Sequence, residues 1–160
     1  MKYLRPLLPE LLMVAILAAV ALIYMSPVFE GKTLPQGDVI HAQDQTAEVT
    51  KFQEETGEYP GWTNSAFSGM PTYQLKSPPS RNVYNWLFRV FKLYLPGYTV
   101  AILFVVLLGF FFLLRTLKLN RWLALAGALA FGLGSHHVQL ILAGHVNKVY
   151  AIAYMAPVIA

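Results

Sequence analysis

The chain has 160 residues, of which 56% are hydrophobic and 12% charged, with a formal net charge of +4. Soluble domains carry about 25% charged residues, so half that charge on so apolar a chain excludes both an ordinary water-soluble globule and a disordered segment. The expected class is integral membrane protein. There is no cysteine, which excludes a disulfide framework, a thiolate metal site and a cysteine nucleophile.

Taken in chain order, residues 1–25 read as a cytoplasmic N-terminus and a first span. The stretch Leu11–Phe29 lacks any charged residue and follows Lys2 and Arg5, as in a signal peptide, but no small-x-small cleavage site succeeds it. Residues 26–92 then form an outer loop, too long for a mere connector. It opens on a Pro- and Gly-punctuated segment, SPVFEGKTLPQGD. A polar helix is predicted from Val39 to about Thr56, ended by Gly57 and Pro60. A turn-rich patch, YPGWTNSAFSGMPTYQ, leads into a second helix. There Val83, Trp86, Leu87, Val90, Phe91 and Tyr94 share one face, opposite Arg81, Asn85, Arg89 and Lys92, with Ser80 as the expected N-cap. Such a helix, placed just before a span, lies flat in the headgroup layer. It is either a membrane-resting spacer or a site where Arg81, Arg89 or Lys92 meets a lipid phosphate.

A second span is expected over 93–114 and a third over 122–144, joined by a short cytoplasmic loop, 115–121. In the third span Ala126, Ala130 and Gly134 fall four apart, a small-residue stripe on which another helix can pack closely. Residues 145–160 read as an outer turn and the start of a fourth span, cut mid-way, as in an N-terminal fragment of a larger protein. The expected fold is therefore all-α: a polytopic helical membrane protein with three full transmembrane helices, a truncated fourth and a helical outer loop.

Charge placement orients these elements. Arg115, Lys118 and Arg121 stand together without an acid, whereas the 26–92 loop has six basic and seven acidic residues. The basic surplus is a positive-inside signature, with the N-terminus cytoplasmic and the long loop outside. The pI of 9.4 therefore marks topology, and no basic face remains for a nucleic acid.

The ionisable residues of the outer side carry the candidate chemistry. Asp38 follows a glycine and opens the Val39 helix. It is either an N-cap, favoured there by the helix N–H groups and dipole, or a general base within reach of an acceptor hydroxyl at the membrane surface. Asp44, Glu48, Glu54, Glu55 and Glu58 read as a solvated helix face. His145 and Lys148, three residues apart in AGHVNKVYA, can hold a phosphate leaving group, or can flank a plain turn formed by Gly144 and Asn147. His136 and His137 fall in the outer third of the membrane core, where ionisable groups face a cavity or a partner. No metal site is expected, because His41, His136, His137 and His145 lack ligand spacing. A divalent ion shared by Asp38 and Asp44 remains open.

The motifs YMSPVFEGK, LPQGD, GEYPGWTNSAFSGMPTYQ, ALAFGLGS and AGHVNKVYAIAYMAPV, in this order, resemble the N-terminal part of the YfhO family of bacterial membrane proteins. The resemblance covers nearly all 160 residues. That family consists of longer, many-span proteins and is similar to type C glycosyltransferases. The resemblance implies a bacterial inner-membrane enzyme that passes a sugar from a polyprenyl-phosphate carrier to a cell-envelope acceptor on the outer face. It implies that Asp38, by position, is the catalytic base, and that His145 and Lys148 lie in the family's Gly-His-x-x-Lys element, beside the carrier phosphate. Trp62 and Asn64 of the WTN block, with Arg81 and Arg89, complete the substrate-binding candidates. No role passes to His136 or His137, no cofactor is implied, and the machinery of later spans is absent from these residues, so the fragment alone is expected to be inactive. Two readings from other classes stand beside this one: a multi-span transporter or flippase, and a non-catalytic membrane scaffold.

Overall fold

The computed structural model describes residues 8–76, 86, 87, 89, 90 and 98–160. Lys2, Arg5, Arg81, the Ser80 cap, most of the Val83–Tyr94 helix and the first residues of the 93–114 span lie outside the described residues.

The chain is mostly helical. Helix α1 (Leu8–Tyr24) is apolar apart from Glu10, and it gives way to a 3₁₀ turn, Ser26–Glu30, so the helix ends inside the charge-free stretch that runs on to Phe29. Pro27 sits at the start of that turn, where its fixed φ and missing N–H favour a new beginning over continuation. Helix α2 (Gly37–Thr56) is polar and ends at Gly57, whose φ of +74° is the left-handed C-cap geometry that glycine adopts freely. Beyond it, β1 (Trp62–Thr63) and β2 (Met70–Pro71) form a two-stranded antiparallel hairpin, with Trp62 opposite Pro71 and Thr63 opposite Met70. A second 3₁₀ turn, Thr72–Gln74, follows.

Helix α3 (Tyr98–Thr116) is apolar on all sides and occupies the centre, with Leu103, Val106 and Leu107 fully buried. It packs against α6, α4 and α1. Helix α4 (Arg121–Gly132) is N-capped by Asn120, whose Oδ1 accepts the Trp122 N–H at 2.9 Å. The single span expected over 122–144 is broken. Helix α5 (Ser135–Ala143) continues from α4 at a 45° bend. The break falls at Gly132-Leu133-Gly134-Ser135, where two glycines and a serine are weak helix formers. Helix α6 (Val146–Ile159) completes the bundle. Of the described helices, Thr99–Thr116 is long and apolar enough to cross a membrane, and α4 with α5 passes the same test as a bent pair.

The small-residue stripe is displaced by two positions from its expected place. Ala126 and Ala130 are exposed, while Ala124, Ala128 and Gly132 are buried, with Gly132 against Leu107 of α3. At Gly109 a Cβ atom would overlap the carbonyl oxygen of Ala153, so its absence lets the backbones of α3 and α6 approach closely.

The bundle has two chemically distinct ends. At one, Glu10 of α1 grips Arg115 of α3 through Nε at 3.1 Å and Nη2 at 2.8 Å, and the Arg115 Nη1 also donates to the Leu119 carbonyl. At the other, the start of α2 docks on the turn between α5 and α6.

Candidate functional site

That docking is built from backbone requirements. The last carbonyls of a helix have no partner within it. In α5 the Ile141 carbonyl accepts the side-chain amide of Gln36 at 2.6 Å, and Gln36 is itself buried. Gly144 then turns the chain with φ +94°. A Cβ there would meet Val39 Cγ2 at 3.0 Å and the Val39 nitrogen at 3.4 Å, so position 144 requires glycine both for its backbone angle and for the close approach of α2.

The consequence is that Asp38 meets His145. The imidazole Nδ1 lies 3.1 Å from the carboxylate Oδ2, with the two side chains about half exposed. Asp38 is not the cap of α2. Gln36 holds the N-cap position without a side-chain cap bond, and Asp38 stands in the first turn. A half-exposed polar contact of this kind adds little to stability, so it orients the carboxylate more than it stabilises the fold.

Asp38 also lines an open groove of about 390 Å³, with Gln43 and Thr46 of α2, Gly144, Leu75 and Lys76. Lys76 is held by its Nζ donating to Thr50 Oγ1 at 2.9 Å. The groove thus gathers a carboxylate, an amide, a hydroxyl and an ammonium group. A carboxylate oriented by an imidazole can take a proton from a bound hydroxyl, and a fixed cation nearby can offset negative charge on a second substrate. Lys148 is exposed on the first turn of α6 and is not among the groove's lining residues.

On the other side of Gln36, two adjoining crevices of about 300 and 200 Å³ share Val28, Lys32, Thr33 and Leu34. The larger is walled chiefly by apolar residues of the α1 end and of α5, including Met25, Val138 and Ile141. The smaller is lined by Gln36 and by Thr99, whose buried hydroxyl has no partner among the described residues.

The remaining candidates are scattered. Trp62 and Asn64 lie on the hairpin, joined to each other by the indole N–H donating to Asn64 Oδ1 at 3.3 Å. Arg89 is helical and exposed, beside exposed Trp86, Leu87 and Val90. His137 is buried against Phe131, with ring centroids 4.6 Å apart. Among the described residues no three His, Asp or Glu side chains converge to hold a metal ion.

Glu48 is exposed, as expected of a solvated face, but it also anchors the hairpin. Its carboxylate accepts the Thr63 hydroxyl, the Asn64 N–H at 2.9 Å and the Ser65 N–H at 3.1 Å. These donors hold its carboxyl below the usual range, the Thr63 hydroxyl most of all. Gln36, Glu48 and Lys76 are thus the structural residues that sequence reasoning missed. Their partners lie 105, 15–17 and 26 positions away, and no local pattern announces such pairings. No protein-family model, curated protein or solved structure matches the chain.

Proposed function

We infer that the chain belongs to a polytopic bacterial inner-membrane glycosyltransferase of the type C kind, moving a sugar from a polyprenyl-phosphate carrier to a cell-envelope acceptor on the outer face. The observation that carries this reading is the contact of His145 with Asp38, a carboxylate that lines an open groove together with Gln43, Thr46 and Lys76. In this reading Asp38 takes the acceptor proton as the acceptor oxygen bonds to the anomeric carbon. The sugar–phosphate bond breaks in the same displacement, and the carrier phosphate leaves with the electron pair. His145 orients the carboxylate, and Lys76, in the same groove as Asp38, is the cation for the departing phosphate, while Lys148 lies outside that lining. The apolar crevice between the α1 end and α5 suits a hydrocarbon chain, which supports a lipidic donor. Arg115, Lys118 and Arg121 cluster at the end of the bundle opposite Asp38, as an outward-facing site requires.

The test is transfer of a radiolabelled sugar from lipid carrier to envelope polymer in membrane vesicles that contain the whole protein. Asp38→Asn lowers the rate by about 10²–10⁴-fold with expression unchanged. Transfer that survives the substitution removes Asp38 from the chemistry.

The broken α4–α5 helix favours a second reading, a transporter or flippase, because transporters place substrate sites at interrupted helices. That reading expects Asp38→Asn to alter lipid movement across sealed vesicles while leaving no sugar transfer to lose.

A further inference from the structure

The two adjoining crevices carry a feature that a prenyl donor leaves unused. Thr99 stands in the first turn of α3 and is 7% exposed, and its hydroxyl has no hydrogen-bond partner among the described residues. Burying a hydroxyl without a partner is costly, and folded proteins seldom do it. Thr99 lines the smaller crevice, so the pairing it lacks is open to a ligand that enters there. Both crevices are bounded by Val28, Lys32, Thr33 and Leu34. From that shared lining the larger one extends between the α1 end and α5 as an apolar channel. The Lys32 ammonium is exposed and meets Glu30 at 2.6 Å, a surface pair weak enough to be exchanged for a phosphate. Tyr24, half exposed, borders the larger crevice. Tyrosine and lysine are residues that membrane proteins place at the headgroup layer.

We propose that this double crevice binds one ester-linked phospholipid, with an acyl chain between α1 and α5, an ester carbonyl accepting the Thr99 hydroxyl, and the phosphate at Lys32. Such a lipid has three chemical zones: an anionic phosphate, a carbonyl acceptor and hydrocarbon. The crevice meets them with a cation, a buried donor and an apolar channel. A prenyl phosphate has no carbonyl and leaves the Thr99 hydroxyl unpaired. Binding of the phospholipid is independent of the transfer reading. Its consequence for catalysis rests on that reading: the bilayer's own lipid occupies the crevice assigned to the donor's hydrocarbon, and the donor must displace it.

The experiment is native mass spectrometry of the whole protein in detergent. The probes are dioleoyl phosphatidylglycerol, its ether-linked counterpart without carbonyls, and a prenyl phosphate. The ester lipid forms a single tight adduct, about tenfold stronger than the ether lipid, as one buried hydrogen bond gives. Thr99→Val removes that preference by lowering ester-lipid affinity alone, and Thr99→Ser keeps it. Val138→Trp fills the larger crevice and removes the adduct of both lipids. Equal affinity for ester and ether lipid in the native protein overturns the proposal. So does an ester preference that survives Thr99→Val, which would leave the hydroxyl to water. Prenyl phosphate displaces the phospholipid, and in phospholipid vesicles Thr99→Val lowers the apparent donor KM with kcat unchanged. Simultaneous binding of both lipids, or an unchanged donor KM, overturns the competition. The mass spectra involve neither sugar nor acceptor, so their result stands even where transfer itself is disproved.

Discussion

Asp38 carries a carboxylate whose surroundings are set by two other residues. His145 fixes Oδ2, and Gln36 fixes the helix start on which Asp38 rides. Removing the first leaves the carboxylate in the groove but free to rotate, so His145→Ala lowers transfer by less than Asp38→Asn does. Transfer kinetics of the two variants in the same vesicles check the order. Glu48 gives a separate prediction in pH. Its carboxyl is held below its usual range by the Thr63, Asn64 and Ser65 donors, so the folded value lies under the unfolded one. The stability it lends is present above the ordinary glutamate range, about pH 4, and is lost as pH falls through the lowered folded value. With 5-fluorotryptophan labelling, the Trp62 ¹⁹F resonance, assigned by its loss in Trp62→Phe, reports acid release of the hairpin. Glu48→Gln abolishes that transition and leaves the hairpin loose at neutral pH.

At the scale of elements, the turn between α5 and α6 decides where α2 sits. Gly144→Ala places a side chain on a φ of +94° and against Val39, costing about 1–2 kcal/mol in backbone strain. Thermal unfolding in detergent shows the loss, and transfer falls with it because α2 shifts away from His145. Gln36→Ala, which removes one buried hydrogen bond, costs about 1 kcal/mol. How far these elements are legible in the sequence depends on the range of the forces that make them. The end of α2 at Gly57 follows from local capping chemistry, and α3 from its unbroken apolar run. The bend before Ser135 was hidden by composition, because hydrophobicity alone does not register two glycines flanking Leu133. The stripe of small residues was misplaced by two positions because Ala124–Ala128–Gly132 and Ala126–Ala130–Gly134 have the same spacing. Only the packing partner, Leu107 of α3, chooses between them. In the site, Asp38 and His145 were each visible as ionisable residues after a glycine, but their contact depends on how the bundle folds.

For the molecule as a whole, the Glu10–Arg115 fork ties the first helix to the central one at the end remote from Asp38. Charge-assisted bidentate pairs are among the stronger polar contacts. Glu10→Gln therefore lowers detergent stability by about 1–3 kcal/mol without changing the Asp38 site, and the swap Glu10→Arg with Arg115→Glu restores part of it. The larger claim is that this end and the Asp38 end face opposite sides of the membrane, since a base on the cytoplasmic side could not serve an outer acceptor. None of these 160 residues is cysteine, so in a background with any cysteine elsewhere in the protein replaced that claim is directly measurable. Asp44→Cys on exposed α2 and Leu117→Cys beyond α3 are treated in intact cells with a membrane-impermeant maleimide. Cysteine at 44 is labelled at once, and cysteine at 117 only after permeabilisation. Labelling of both from the same side, or the reverse order, contradicts the account.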